Sequence, residues 1–416
     1  MNEEATELLG AGGGVAGVVG GADQSGVRLY NERLILTLVR RFGPLSKVEV
    51  ARLTGLSVQS TTAIMNRLQE EGLLRREAPL RGKVGQPTIP MSLDPQGAFS
   101  IGLKVGRRSC DLVLTDFCGG IRKRVTDVFA YPTPPRVKAF VAASFNGLVE
   151  TLSAEERGKI QGVGVAAPFE LWKWAEEIGA PAAEMESWQG FDIAAEVRAI
   201  CGLPTILFND ATSACAAEFF FGQAWRRRDF LYFFVGTFVG GGVVLNGAIY
   251  PGRTGNAGAV GSMPVARRTE GGLGVAQLIA TASILQLERA VEAAGLDPSS
   301  IWRTPSAWDD FGAPLDAWIA GAASGLAQAS IAALSVIDFE AIVIDGAMPA
   351  GVRKRLRDRV EQEFRAMDRR GLSDVDIIEG AVGADARAVG GAALPLIKSF
   401  ARDREVLFKD AQIGAP

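Results

Sequence analysis

Residues 235–247 read VGTFVGGGVVLNG, five glycines in thirteen positions between two apolar runs. Glycine at that density lets a backbone turn tightly and bring its N–H groups against a ligand. Gly236, Thr237, Gly240, Gly241 and Gly242 suit a nucleotide phosphate, a sugar, or the fold alone. Upstream, Asn209-Asp210 closes the apolar run TILF and opens ATSACAAEFFFG. A carboxylate in that place acts as a base on a hydroxyl, or it caps the following helix. Arg107-Arg108 is an adjacent basic pair able to meet an anionic group. The chain has no histidine, which excludes imidazole bases and imidazole metal ligands. Cys110, Cys118, Cys201 and Cys215 are widely spaced and read as reduced core residues of a cytoplasmic protein, without metal.

The elements that position these residues follow from the patterning. At 416 residues the chain holds about two to four domains. It is 48% hydrophobic and 22% charged, with net charge −3, an ordinary balance for building sizeable cores. No apolar run reaches membrane-spanning length and no signal peptide is evident, so no membrane partner is expected. Residues 1–30 include LGAGGGVAGVVGGADQSG and are expected to form a flexible tail, because glycine is costly to order.

From Asn31 the texture changes. NERLILTLVRRFG places Leu34, Leu38 and Phe42 at helical spacing, with Ile35 beside them. Ser46 and Glu49 form a capping box for a second helix that turns Val50 and Leu53 inward and stops at Gly55. Ser57 caps a third, with Val58, Ala63, Ile64 and Leu68 as its apolar side. Two short helices about a glycine-containing turn make a helix-turn-helix. The third helix is expected to expose Gln59, Ser60, Thr61, Thr62, Asn66 and Arg67 to bases and phosphates. LLRREAPLRGKVGQPTIPMSL fits two strands about a turn, with Arg81 and Lys83 at the tip of the wing. Residues 31–83 carry a net charge of +5 and the rest of the chain −8, as in a basic DNA-binding module on an acidic body. The residues alone also fit a small helical protein-interaction domain.

Residues 99–130 give three strands, Phe99–Val105, Ser109–Asp116 and Ile121–Phe129, joined by tight turns. A helix around Arg136–Thr151 and a strand in KIQGVGVAAP follow. A second cycle begins at LPTILFNDATSACAAEFFFGQA. Strand–turn–strand units followed by crossover helices, in two halves, describe a duplicated α/β protein with ligands in a central cleft.

Asn31 to Pro95 resembles the winged helix of sugar-responsive repressors in the ROK family. FNDATSACAAEFFFG, VGTFVGGGVVLNGAIYPGRTGNAGAVGSMPV and EGAVGADARAVGGAALPL resemble the body of the same family. The resemblance runs from about Asn31 to Ile397 and implies a two-lobed actin-like, hexokinase-like (ribonuclease H-like) α/β body. The implied division is a tail to residue 30, a winged helix over 31–92, a first lobe over 93–210 and a second over 211–416. The final helix is expected to return to the first lobe.

The resemblance places Asp210 at the catalytic carboxylate and Asn209 on the sugar hydroxyls. It also exposes departures. Lys104 stands in the place of an aspartate that serves metal and phosphate, and Arg107 and Arg108 replace a glycine and a threonine. Phe238 and Phe169 occupy glycine positions. Ala259 and Ser262 replace a Glu and a His, and the histidine and cysteines of the family's zinc site are absent. Trp188, Phe169 and Phe238 form an apolar face for a sugar ring or serve packing. The expectation is a vestigial phosphate cradle in a non-enzyme without cofactor. It would be a transcriptional repressor of carbohydrate metabolism, a homodimer or higher homo-oligomer on a double-stranded DNA operator. A carbohydrate or its phosphate would sit at Asn209, Asp210, Asn256, Ser262, Arg107 and Arg108. The alternative is an ATP-dependent sugar kinase using Asp210 as base.

Overall fold

The computed structural model describes residues 24–80, 88–269, 272–303 and 305–402. Arg81 and Lys83, and most of the glycine-rich N-terminal stretch, lie outside the described residues.

Helix α1 spans Gln24–Phe42, so the helical segment starts inside the stretch expected to be a tail. Its buried face is Ile35, Leu36 and Val39, while Leu34 and Leu38 are half-buried and Phe42 is exposed. Helix α2 (Lys47–Thr54) begins at the Ser46–Glu49 capping box and ends at Gly55 in the left-handed region, φ 73°. Helix α3 (Val58–Glu70) is capped by Ser57, whose side chain accepts from the Ser60 amide. Its inward residues are Thr61, Ile64, Met65 and Leu68, whereas Val58 and Ala63 face solvent, as does Leu53 of α2. Strands β1 (Leu74–Arg76) and β2 (Met91–Leu93) pair antiparallel as the base of the wing.

The body contains two sheets of one topology. In the first lobe, β3 (Phe99–Val105), β4 (Ser109–Asp116) and β5 (Ile121–Val128) form an antiparallel meander. Strands β6 (Ile160–Ala167) and β7 (Thr205–Asn209) add in parallel, giving the order β5-β4-β3-β6-β7. In the second lobe, β8 (Phe230–Val235), β9 (Val239–Leu245) and β10 (Ala248–Tyr250) repeat the meander. Strands β13 (Ala341–Gly346) and β14 (Asp376–Glu379) repeat the parallel pair, giving β10-β9-β8-β13-β14. The matching orders establish the duplication. Between them, β11 (Pro264–Thr269) and β12 (Gly272–Gln277) form a separate ribbon with Leu273 and Val275 exposed.

Helices α4 (Pro134–Val149) and α5 (Ile193–Cys201) cover one face of the first sheet. Helix α6 (Asp210–Phe221) follows β7, and α7 (Ile284–Ala293), α8 (Ala313–Leu334) and α9 (Ala350–Ala366) belong to the second lobe. Helix α8 is long and apolar enough to cross a membrane, contrary to the reading that no run reaches such length. Leu315, Trp318, Leu326 and Ala329 bury it in the second-lobe core. The last helix among the described residues, α10 (Ala386–Phe400), returns to the first lobe and packs on β3, β6 and α6. The approach depends on glycine: a Cβ at Gly390 would meet the Ser213 carbonyl at 1.8 Å. The cysteines are free, but Cys118 is exposed and Cys201 half-buried, so only Cys110 and Cys215 are core residues.

Candidate functional site

Helix α3 presents Gln59, Ser60 and Asn66 to solvent, with Thr62 half-buried. Thr61 is fully buried and its hydroxyl has no partner, so it is not a base reader. It falls one turn before Ile64 and Met65, on the same face. Asn66 Oδ1 accepts from Lys47 Nζ at 2.6 Å, which ties α3 to α2. Arg67 pairs with Glu32 of α1, and so spends its charge inside the module.

In the cleft, Asn209 is the N-cap of α6: its Oδ1 accepts from the Ala211 amide at 3.0 Å. Asp210 is the first residue of α6, and its Oδ2 accepts from Arg387 Nη1 at 3.2 Å. That guanidinium comes from the first turn of α10 and lies over the Phe234 ring, 5.1 Å from its centroid. A base already paired with an arginine has a competitor for any hydroxyl brought to it.

Lys104 is buried at the end of β3. Its ammonium donates to Ser109 Oγ at 2.8 Å and Asp111 Oδ2 at 3.0 Å. Burial, with Arg387 nearby, pulls its pKa below the ordinary lysine value. Beyond it, Arg107 and Arg108 both donate to Glu288 Oε2 on α7, at 3.3 and 3.1 Å. Trp302 Nε1 donates to the other oxygen at 2.5 Å. A buried carboxylate of the second lobe thus clasps the turn of the first lobe that follows β3. Magnesium needs hard oxygen donors, and the carboxylates at this position, Asp111 and Glu288, are already paired with the ammonium and the two guanidinium groups.

The facing loop is Gly236–Phe238, between β8 and β9. The Gly236 and Thr237 carbonyls accept from the first amides of α7, and Val239 N donates to Ser283 Oγ. Phe238 stacks at a tilt on Trp174 of the first lobe, with centroids 5.0 Å apart. Gly240, Gly241 and Gly242 lie within β9, not in the turn. A Cβ at Gly240 would come 2.8 Å from Ala211 Cβ, and one at Gly242 2.4 Å from Cys215 Cβ. These two glycines serve the packing of α6 on β9.

Asn256 and Ser262 are exposed on the second lobe. Phe169 reaches across to the same segment, 3.5 Å from where a Gly255 Cβ would stand. Trp188 instead belongs to the first-lobe core and donates to the Pro132 carbonyl at 3.1 Å. Zinc does not fit: no group of three His, Cys, Asp or Glu is gathered among the described residues, and the sequence has no histidine.

Glu288 and Arg387 are the site residues that sequence reasoning missed. Glu288 lies among the charges Arg289 and Glu292 of α7 and gives no local signal, whereas Arg387 shares the apolar α10 with Lys398 alone.

Comparison with known proteins agrees with this architecture. The profile of the ROK family matches residues 100–398, and that of the MarR family matches residues 30–83. An uncharacterized protein, y4fQ, of Sinorhizobium fredii is 26% identical, over 89% of this chain and 91% of its own. The xylose repressor of Bacillus subtilis is 23% identical, over 59% of this chain and 62% of its own. The Escherichia coli transcriptional dual regulator NagC is 25% identical, over 58% of each chain. Less than two thirds of those two regulators is therefore spanned. Among solved structures, a ROK family transcriptional regulator described as a homologue of the E. coli MLC protein aligns with TM-score 0.62. It is 18% identical and covers 91% of this chain and 98% of that one. A ROK glucokinase from Streptomyces griseus, also 18% identical, aligns over 71% of this chain and 99% of its own, with TM-score 0.56. With a profile match over well more than half its length, the chain belongs to the ROK family.

Proposed function

We propose that this chain is a DNA-binding transcriptional regulator of carbohydrate metabolism, a repressor acting as a cytoplasmic homodimer. The winged helix reads an operator, and a small carbohydrate or its phosphate between the lobes sets its affinity. The observation that carries the reading is Glu288 clasped by Arg107 and Arg108 where a kinase must place magnesium and triphosphate. An exposed, well-capped third helix beside a body so modified fits control of DNA rather than phosphoryl transfer. The relatives named as xylose repressor and NagC support the same reading. Effector contacts fall to Asn209, Asp210, Asn256 and Ser262, whose amides, carboxylate and hydroxyl suit sugar hydroxyls. The arginines reach an anionic effector only by releasing Glu288. Such a ligand acts by preferring one lobe arrangement, since equal affinity for both shifts nothing.

The test is duplex selection from a random library at moderate salt, followed by a thermal-shift screen of sugars and sugar phosphates. Each hit is then assayed for its effect on operator affinity. The expected result is a retained duplex whose affinity changes with a ligand that Asp210→Asn no longer binds. No retained duplex overturns the regulator reading.

A further inference from the structure

The arginine run 226–228 lies outside the cleft, just after α6, and no part of the proposed mechanism uses it. It lines a cavity of about 430 Å³ at the junction of α1 with the second lobe. Arg41 comes from the end of α1, Arg226, Arg227 and Arg228 from the approach to β8, and Arg402 from just beyond α10. Among the described residues, the one acidic residue in the wall is Glu340.

Most of these charges are unspent. Arg227 pairs with Asp376, and Arg228 donates to Asn246 Oδ1 at 3.0 Å while Glu340 accepts from its backbone amide. Arg41, Arg226 and Arg402 have no carboxylate partner among the described residues. Arg41 and Arg226 lie beside Trp225, whose ring meets their guanidinium groups at 5.7 and 5.5 Å. Burial, and then the charge of Arg402, draws Arg41 below the ordinary arginine pKa, which marks a cluster short of negative charge.

The cavity faces away from the DNA-reading side of α1. At 100° per residue, Arg33, Arg40 and Arg41 share one side of that helix, and Glu32, Ile35 and Val39 share the other. The first side meets the body: Arg40 donates to the Phe117 carbonyl at 2.8 Å, and Arg41 lies over Phe219. The second side carries α3, through Glu32 with Arg67 and the core around Met65. A duplex on α3 therefore has α1 between it and the arginines.

We propose that this junction cavity is a binding site for a small phosphate-bearing anion, held jointly by Arg41 of the DNA-reading module and Arg226 and Arg402 of the body. Guanidinium forks match phosphate oxygens two at a time, and the volume falls in the range of small-molecule sites. Because the ligand spans both parts, its binding stiffens the seat of α1 and alters the presentation of α3. The site goes beyond the cleft effector and is separable from it.

Calorimetric titration of the full chain with inorganic pyrophosphate, at ionic strength held constant with chloride, tests the assignment. Saturable binding is expected, weakened at least about tenfold in the Arg226→Gln/Arg402→Gln double variant and unchanged in Asp210→Asn. Both replaced arginines are exposed, and an unchanged melting curve in chloride establishes that the variant folds; Arg226→Gln alone is the second variant and should weaken binding in the same direction. Pyrophosphate should also shift the affinity of the wild type for a short duplex and not that of the double variant. Absence of saturable binding, equal affinity in the double variant, or loss in Asp210→Asn overturns the site. So does a double variant that loses duplex affinity while still binding pyrophosphate, since the arginines would then belong to the DNA footprint. DNA binding that survives while pyrophosphate fails leaves the regulator reading intact.

Discussion

Arg108 and Glu288 stand 180 residues apart in the chain and 3.1 Å apart in the fold, one on each side of the cleft. With Arg107 on the same carboxylate oxygen, they join the two lobes by charge at the turn after β3. Phe238 on Trp174 closes the neighbouring stretch by aromatic contact.

Glu288→Ala should destabilise the closed body. Arg107 is only 14% exposed on its side chain and would be left without its carboxylate, whereas Arg108, at 39%, can turn to water. Breaking one partner from a largely buried pair costs about 3 kcal/mol. Urea unfolding should show a loss of that order, and Arg108→Gln should cost less than about 1 kcal/mol. Equal losses would mean that Arg108, and not the less exposed Arg107, carries the contribution of the cluster.

Sugar-dependent ADP production should stay at background across hexoses, pentoses and amino sugars. Replacing Lys104 by Asp should not restore it, because Arg107 and Arg108 still pair with Glu288 beside it and Arg387 still holds Asp210. A turnover of order one per second, lost in Asp210→Asn, would reverse the assignment.

The parts of the fold written in short-range pattern were legible. The capping box at Ser46–Glu49, the left-handed stop at Gly55 and the limits of Phe99–Val105 follow from adjacent residues. So does the duplicated meander. Facing was harder: α1 buries Ile35, Leu36 and Val39, because both the module and the body claim a side of it. The glycines of residues 240–242 read as a ligand loop since a strand packed under a helix demands the same small residues. Nothing local marks Arg387 as the partner of Asp210, or Glu288 as the partner of Arg108. Those pairs depend on α10 returning to the first lobe and on the two lobes meeting.

Glu218 should give the stability a pH dependence opposite to that of an ordinary surface carboxylate. It is buried, and burial raises its pKa above the usual range despite backbone bonds from Gln223, Ala224 and Ala381. The folded state therefore holds this proton more tightly than the unfolded chain. Its contribution is fully present below the unfolded carboxylate pKa and is lost as pH rises through the folded value. Glu218→Gln mimics the protonated form. Relative to wild type the variant should gain stability as pH rises, in urea titrations run from pH 5 to 8. A difference independent of pH would show that Glu218 stays in one protonation state.

The third helix separates a buried threonine from its exposed neighbours. Thr61→Val removes a buried hydroxyl that has no partner, so stability should hold or rise by up to about 1 kcal/mol with DNA affinity unchanged. Gln59→Ala removes an exposed amide at the start of the same helix and should cost about 1–3 kcal/mol of discrimination between duplexes, not a uniform loss. Arg67→Gln breaks the pair with Glu32 and should lower stability along with affinity. Neutralising Arg81 and Lys83 together should weaken binding to all sequences and reduce the salt slope by about two. Competition gel shifts on selected and random duplexes, over a range of salt, read all four. If Thr61→Val abolished recognition while Gln59→Ala left it unchanged, the DNA-reading face assigned to α3 would be the wrong one.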